Sequence, residues 1–180
     1  RNTNTEELKK LAIEEYLLNY IALGLKHKNC DFYFQSKRSN KGKKSNAYYN
    51  LAQISSRHIT LNELKSIYGD DITPGKISSA LLQVSDMLHP QLPEFEGPIQ
   101  VVVPVGSDQS PHIHFARDVS QRIKIHKFLS LASTYHVFLP GLKGGKMSSS
   151  DPLSYISLTE TPEEASNKIR KYAFSGGQAT

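Results

Sequence analysis

Apolar and polar positions along this chain fall into two periods, and the helical one comes first. In "NTEELKKLAIEEYLLNYIALGLK", Leu8, Leu11, Ala12, Leu18 and Ala22 recur at helical spacing and predict one long helix ending near Gly24, with Thr3 and Glu6 spaced as a capping box. "CDFYFQS", residues 30–36, is aromatic and bounded by polar residues, which predicts a short strand. Two shorter helices follow at "NAYYNLAQISSR" and "LNELKSIY", the second opened by a Thr60 and Glu63 capping box. "KISSALLQVSDML" reads as a further helix that stops before Pro90.

The period changes at "IQVVVPV", a near-continuous apolar run of the kind buried in a parallel strand. "GSDQ" interrupts it, and Pro111 then starts a helix, so residues 99–111 make a strand–loop–helix unit. "STYHVFLPGL" predicts another strand. In "TPEEASNKIRKYAF", Thr161 as N-cap, Pro162 in the first turn and Glu164 three residues on define a helix start. Strands alternating with helices give an α/β class with a largely parallel sheet and flanking helices.

Composition narrows the partners without naming one. The 180 residues, 38% of them hydrophobic, suffice for a sizeable core, and 22 basic against 17 acidic residues are compatible with a polyanion. The single cysteine, Cys30, excludes an internal disulfide and a Cys-rich zinc site and favours a reducing compartment. No apolar run reaches the ~18 residues of a membrane span. Together these predict a cytoplasmic protein.

Several stretches carry candidate chemistry. "GLKGGKMSSSDP", residues 141–152, sets a lysine after two glycines and before three hydroxyls, which suits either a polyphosphate or an ordinary polar loop. It is not a P-loop, because Pro140 and Met147 stand where that motif needs glycine and a hydroxyl residue. In open α/β sheets ligands bind at the carboxyl ends of strands, which directs attention to Gly106, Asp108 and Gln109. Gln83 and Asp86 share a helix face, either as an exposed stripe or toward a ligand. Lys37, Arg38, Lys41, Lys43 and Lys44 form a basic loop, solvated or touching RNA, with no interleaved aromatic residue as a stacking platform. His112 and His114, two apart on a helix, point to different faces and do not read as metal ligands.

Combined, these stretches carry a family resemblance. "KMSSSDP" resembles the lysine-methionine-serine signature of class I aminoacyl-tRNA synthetases, and "GSDQ" at a strand end resembles the Gly-x-Asp-Gln of their tryptophanyl and tyrosyl branch. "GKISSALLQVSDMLHPQL", "VPVGSDQSPHIHFARD" and "KYAFSGG" are similar to the archaeal and eukaryotic form of tryptophanyl-tRNA synthetase, over most of the chain from about Glu6. The resemblance implies part of a Rossmann-type catalytic domain with part of its helical connecting insertion: residues 1–97 as the connecting-insertion region and substrate-pocket helix, and 98–180 as the second Rossmann half with the GSDQ and KMSSS loops. It implies activation of tryptophan with ATP and Mg²⁺ to an adenylate, followed by transfer to tRNA(Trp), in an enzyme that is a homodimer when complete. A tyrosyl enzyme, or a synthetase-like nucleotide- or RNA-binding protein without amino-acid activation, is the alternative. Ser79, four residues before Gln83 where the tyrosyl branch carries tyrosine, counts against the former.

Carried over by position, the resemblance assigns Lys146 to the departing phosphates as the catalytic cation. Ser148 and Ser150 become phosphate donors, the Met147 backbone faces adenine, and Asp108 accepts from the ribose beside Gly106. Gln83 and Gln109 would hold the ammonium and carboxylate of the amino acid. Asp86 matches a residue that reads the indole N–H in bacterial relatives. Two departures stand out: Ser149 replaces a frequent second lysine, and no His-x-Gly-His pattern is present. The sequence therefore reads as an internal fragment, expected to be inactive alone.

Overall fold

The computed structural model describes residues 4–39, 44, 46–137, 139–148 and 150–174. Contacts divide the chain into two units, one made of Arg1–Phe32 with Phe138–Thr180 and the other of Tyr33–Val137. Residue 97, the functional boundary expected from the sequence, lies inside the second unit.

In the first unit the expected long helix is present in three pieces: α1 (Thr5–Leu11), a wider π-helical stretch (Ala12–Leu17) and α2 (Leu18–Ala22). Its cap is Asn4, whose side chain accepts from the Glu6 amide at 3.1 Å, in place of the expected Thr3, which lies outside the described residues. None of its residues is buried, and Leu8 and Leu18 are about half exposed. The chain turns out of α2 at Gly24, whose φ of 101° places it in the left-handed region that glycine adopts without strain.

The second unit carries the core. Helices α3 (Ala47–Ser56), α4 (Leu61–Tyr68), α5 (Pro74–Leu88) and α6 (Ser110–Arg122) surround it, with strands β1 (Val102–Gly106) and β2 (Ala132–His136). Thr60 and Glu63 make the expected reciprocal cap of α4, and Thr73 followed by Pro74 starts α5. Ala80, Val84 and Leu88, one stripe of α5, are buried with Leu51 of α3 and Ile113, Ala116 and Val119 of α6. Leu88 is fully buried, so its truncation to alanine should cost about 2–5 kcal/mol.

β1 and β2 pair in parallel, from Val102 opposite Ala132 to Gly106 opposite His136, with α6 as the crossover. Arg117 of α6 ties that crossover to the second strand, donating from Nε to the Leu131 carbonyl at 2.8 Å and from Nη2 to Ser133 Oγ at 3.1 Å. The sheet has two strands among the described residues, fewer than the sequence pattern predicts. Among the described residues no strand is assigned to 30–36; the stretch runs into a short 3₁₀ helix (Gln35–Lys37). Tyr33, one of the aromatic residues that prompted the strand reading, stands edge-on to His89, with ring centroids 5.6 Å apart. No helix among the described residues is long and apolar enough to cross a membrane.

Candidate nucleotide and amino-acid site

The expected site residues fall into two sets, one in each unit. The first set lies at the carboxyl end of β1. The strand delivers Gly106, a 3₁₀ turn (Ser107–Gln109) follows, and Pro111 in the first turn of α6 sets the helix direction. The Asp108 carboxylate folds back over Gly106, where an added Cβ would meet Asp108 Oδ1 at 2.8 Å and His136 Nε2 at 3.6 Å. A side chain at this position would have to displace the Asp108 carboxylate. Gln109 receives a hydrogen bond from Gln83 of α5, Nε2 to Oε1 at 3.2 Å. Two amides 26 positions apart in sequence thus meet at the strand end.

Asp86 has a different environment. Its Oδ1 accepts from the Tyr48 hydroxyl at 2.7 Å and its Oδ2 from Gln35 Nε2 at 2.7 Å. Burial pushes the Asp86 carboxyl above the usual aspartate range, against the opposing pull of these two donors. Both oxygens are engaged by the protein itself.

Sequence reasoning missed the group beside it. Arg38 stacks over Tyr33, with its guanidinium carbon 3.9 Å from the ring centroid, and lies 4.8 Å from the Phe95 centroid. Arg38 Nε donates to His89 Nε2 at 2.9 Å, while His89 Nδ1 lies 2.8 Å from the Ser85 carbonyl. That pairing requires a neutral imidazole with its proton on Nδ1, and burial holds the His89 pKa down at about 4. Lys44 Nζ also sits 4.5 Å from the Phe95 centroid. The basic loop therefore does meet aromatic rings, Tyr33 just before it in sequence and Phe95 far from it; Lys41 and Lys43 lie outside the described residues.

The second set lies on the loop between Leu139 and Tyr155. Pro140 pairs with Lys146 in an isolated antiparallel bridge, and the Gly141 amide donates to Gly145 at 2.7 Å, which closes the glycine turn. An added Cβ on Gly141 would stand 2.7 Å from the Ser154 carbonyl. Gly144 has a φ of 81° and packs against the Phe174 ring. Downstream, Ser148 Oγ and Ser150 Oγ are 2.8 Å apart, and the Ser150 amide points at Ser148 Oγ from 3.4 Å. Lys146 is exposed, as is the Met147 side chain, beside which a cavity of about 380 Å³ opens between Tyr16, Tyr20, Tyr155 and Leu158. Ser149 lies outside the described residues.

The supports of this loop are absent from the sequence reading. Ser154 is buried, its Oγ accepts the Ser148 amide at 3.0 Å, and its carbonyl accepts the Leu142 amide at 2.8 Å. Lys143 pairs with Asp151 at 2.7 Å and holds that carboxyl below its usual range. Asp151 before Pro152 is itself a readable cap signal, accepting from the Leu153 amide at 3.1 Å. Nothing in the local sequence marks Ser154.

Comparison with known proteins gives the same direction. The family described as tRNA synthetases class I (W and Y) matches residues 1–179. The tryptophan–tRNA ligase of Aeropyrum pernix is 45% identical over 181 residues, covering 100% of this chain and 46% of its own length. That of Methanocaldococcus jannaschii is 44% identical over 184 residues, covering 100% and 48%. The crystal structure of tryptophanyl-tRNA synthetase from A. pernix K1 superposes with a TM-score of 0.89 at 46% identity, covering 100% of this chain and 47% of that one. The chain spans about half the length of the curated relatives it matches. With a Gly-x-Asp-Gln strand end, a lysine-methionine-serine loop and a family match along nearly its whole length, this chain belongs to the class I tRNA synthetases of the W and Y family.

Proposed function

We propose that this chain is the part of a tryptophan–tRNA ligase that holds the amino acid and the phosphates of ATP. The observation that carries the reading is the meeting of Gln83 and Gln109 at the end of β1, beside the Gly106 and Asp108 turn. A primary amide both donates and accepts, so the pair can hold the ammonium and the carboxylate of one amino acid. Asp108, over a glycine that admits close approach, is disposed to accept from ribose hydroxyls. The curated relatives at 44–45% identity support tryptophan as that amino acid.

The reaction asks little covalent chemistry of the protein. An amino-acid carboxylate, ionised at neutral pH, attacks the α-phosphorus of ATP and pyrophosphate leaves. Catalysis then consists of holding two anions together and stabilising the charge that develops. Lys146 is the cation for the departing phosphates, with the Ser148 and Ser150 hydroxyls as donors, and the space beside Met147 accommodates adenine. Mg²⁺ arrives on the phosphates of ATP and neutralises part of their charge. Asp86, three residues beyond Gln83 on α5 and engaged by Tyr48 and Gln35, belongs to the amino-acid side of the site. Transfer to tRNA(Trp), and a homodimer in the complete enzyme, belong to the same reading.

The test is tryptophan-dependent ATP–pyrophosphate exchange by the complete enzyme and by its Lys146→Ala variant. Exchange that depends on tryptophan and is lost in the variant is expected. Exchange driven equally well by tyrosine, or unaffected by the variant, would overturn the assignment.

A further inference from the structure

We propose that Lys168 is a positioning residue for the phosphate loop, acting on it through Ser154; the inference rests on the functional reading above. Lys168 lies in α7 (Pro162–Tyr172), a helix started by the reciprocal cap of Thr161 and Glu164. Its ammonium donates to the Pro152 carbonyl at 2.7 Å, the Tyr155 carbonyl at 3.3 Å and Glu160 Oε1 at 2.5 Å. An ammonium has three N–H groups, and here each has an acceptor. The Lys168 side chain is 18% exposed and that of Glu160 15%, unlike the open surface pairs elsewhere on the chain. The Tyr155 ring lies under the same ammonium, 5.5 Å from centroid to Nζ.

The two carbonyls that Lys168 holds flank Ser154. Ser154 in turn joins the two ends of the loop: the Ser148 amide donates to its hydroxyl and the Leu142 amide to its carbonyl. That hydroxyl lies 2.7 Å from the Asp151 carbonyl, an acceptor for its own proton. A Cβ added to Gly141 would stand 2.7 Å from the Ser154 carbonyl, so the two segments lie close together. Lys168 thus holds the backbone on either side of Ser154, whose hydroxyl accepts the Ser148 amide. Glu160 is kept ionised by Lys168 and by the Ser157 amide, so the anchor persists through the neutral range. A half-buried pair of this kind adds little net stability against an apolar substitute; its value is in specifying a position.

The experiment compares Lys168→Met and Lys168→Arg in the complete enzyme, with Glu160→Gln as a milder variant should the methionine variant fold poorly. Amide hydrogen exchange over residues 141–155 and the KM values for ATP and tryptophan are read separately. Lys168→Met should speed exchange in that segment and raise the ATP KM by roughly 10- to 100-fold, as expected for an ångström-scale misplacement. The tryptophan KM should hold. Lys168→Arg should recover part of both effects, and Glu160→Gln should show the same pattern more weakly. Unchanged loop exchange, or faster exchange with an unchanged ATP KM, overturns the proposal, as does a parallel rise in both KM values. A wild-type enzyme without tryptophan-dependent activity would defeat the functional reading instead, and the exchange data would still decide whether Lys168 holds the loop.

Discussion

Gln83 Nε2 on α5 lies 3.2 Å from Gln109 Oε1 at the end of β1, so a helix and a strand end are joined through two side-chain amides. Hydrogen-bonded partners are coupled: removing one leaves the other to relax or pair with water. In the complete enzyme Gln83→Ala or Gln109→Ala should raise the tryptophan KM with a smaller effect on ATP. The double variant should lose less than the sum of the singles, by about 0.5–3 kcal/mol of coupling. Strict additivity would place the two amides in independent roles.

Lys146 should show the opposite kinetic signature. Because charge develops on the departing phosphates only in the transition state, Lys146→Ala should slow adenylate formation at least ~100-fold, the scale of one lost preorganised donor. Tryptophan binding should barely change. Equal losses in both, measured by single-turnover kinetics and equilibrium binding, would mark it as a structural lysine.

Tyr48 and Asp86 make a stability prediction. Tyr48→Phe removes the donor 2.7 Å from Asp86 Oδ1 and leaves a half-satisfied, half-buried carboxyl, at a cost of about 1–3 kcal/mol in urea unfolding. Tyr48→Phe combined with Asp86→Leu should recover part of that loss, since no orphan acceptor then remains. A single variant as stable as wild type would show that Gln35 alone satisfies the carboxylate.

His89 predicts a pH dependence with a definite sign. Its folded pKa is held down at about 4, below the 6.5 of a free histidine, by burial first and then by Arg38 and Lys44. Between those values the unfolded chain binds a proton that the native one refuses, so stability falls as pH drops from about 6.5 towards 4 and no further below. Protonation would also cost the hydrogen bond from Arg38. Wild type should lose stability across this window faster than His89→Gln, whose side chain has no such titration. Parallel curves would remove His89 as the cause.

Gly141→Ala tests the loop directly. Its new methyl would meet the Ser154 carbonyl at 2.7 Å, and backbone cannot yield as a side-chain tip can. Overpacking of this kind costs about 1–3 kcal/mol. The ATP KM should rise with it, because the Met147 Cα, 3.2 Å from that methyl, and the Ser154 carbonyl would be displaced. A variant with wild-type stability and ATP KM would mean the loop opens freely at this point.

Local signals determined what they physically control. The reciprocal caps at Thr60 and Thr161, the proline starts of α6 and α7, and the apolar run into "GSDQ" each depend on a few adjacent residues, and each forms as its sequence predicts. The candidate site residues were legible for the same reason: a strand end, a glycine and a lysine-rich turn are local patterns, and the family resemblance attached roles to them. Tertiary structure decided the partners. "CDFYFQS" has strand composition, yet no strand is assigned to it among the described residues, and Tyr33 packs edge-on to His89, a residue more than fifty positions away. Asp86 looks like a ligand residue on its helix face, and only the fold brings Tyr48 and Gln35 onto its two oxygens. The first helix carries an apolar face that no described residue of its own buries. Periodicity states which face is apolar; what covers it depends on contacts between segments far apart in the chain, and a one-dimensional pattern does not encode those distances.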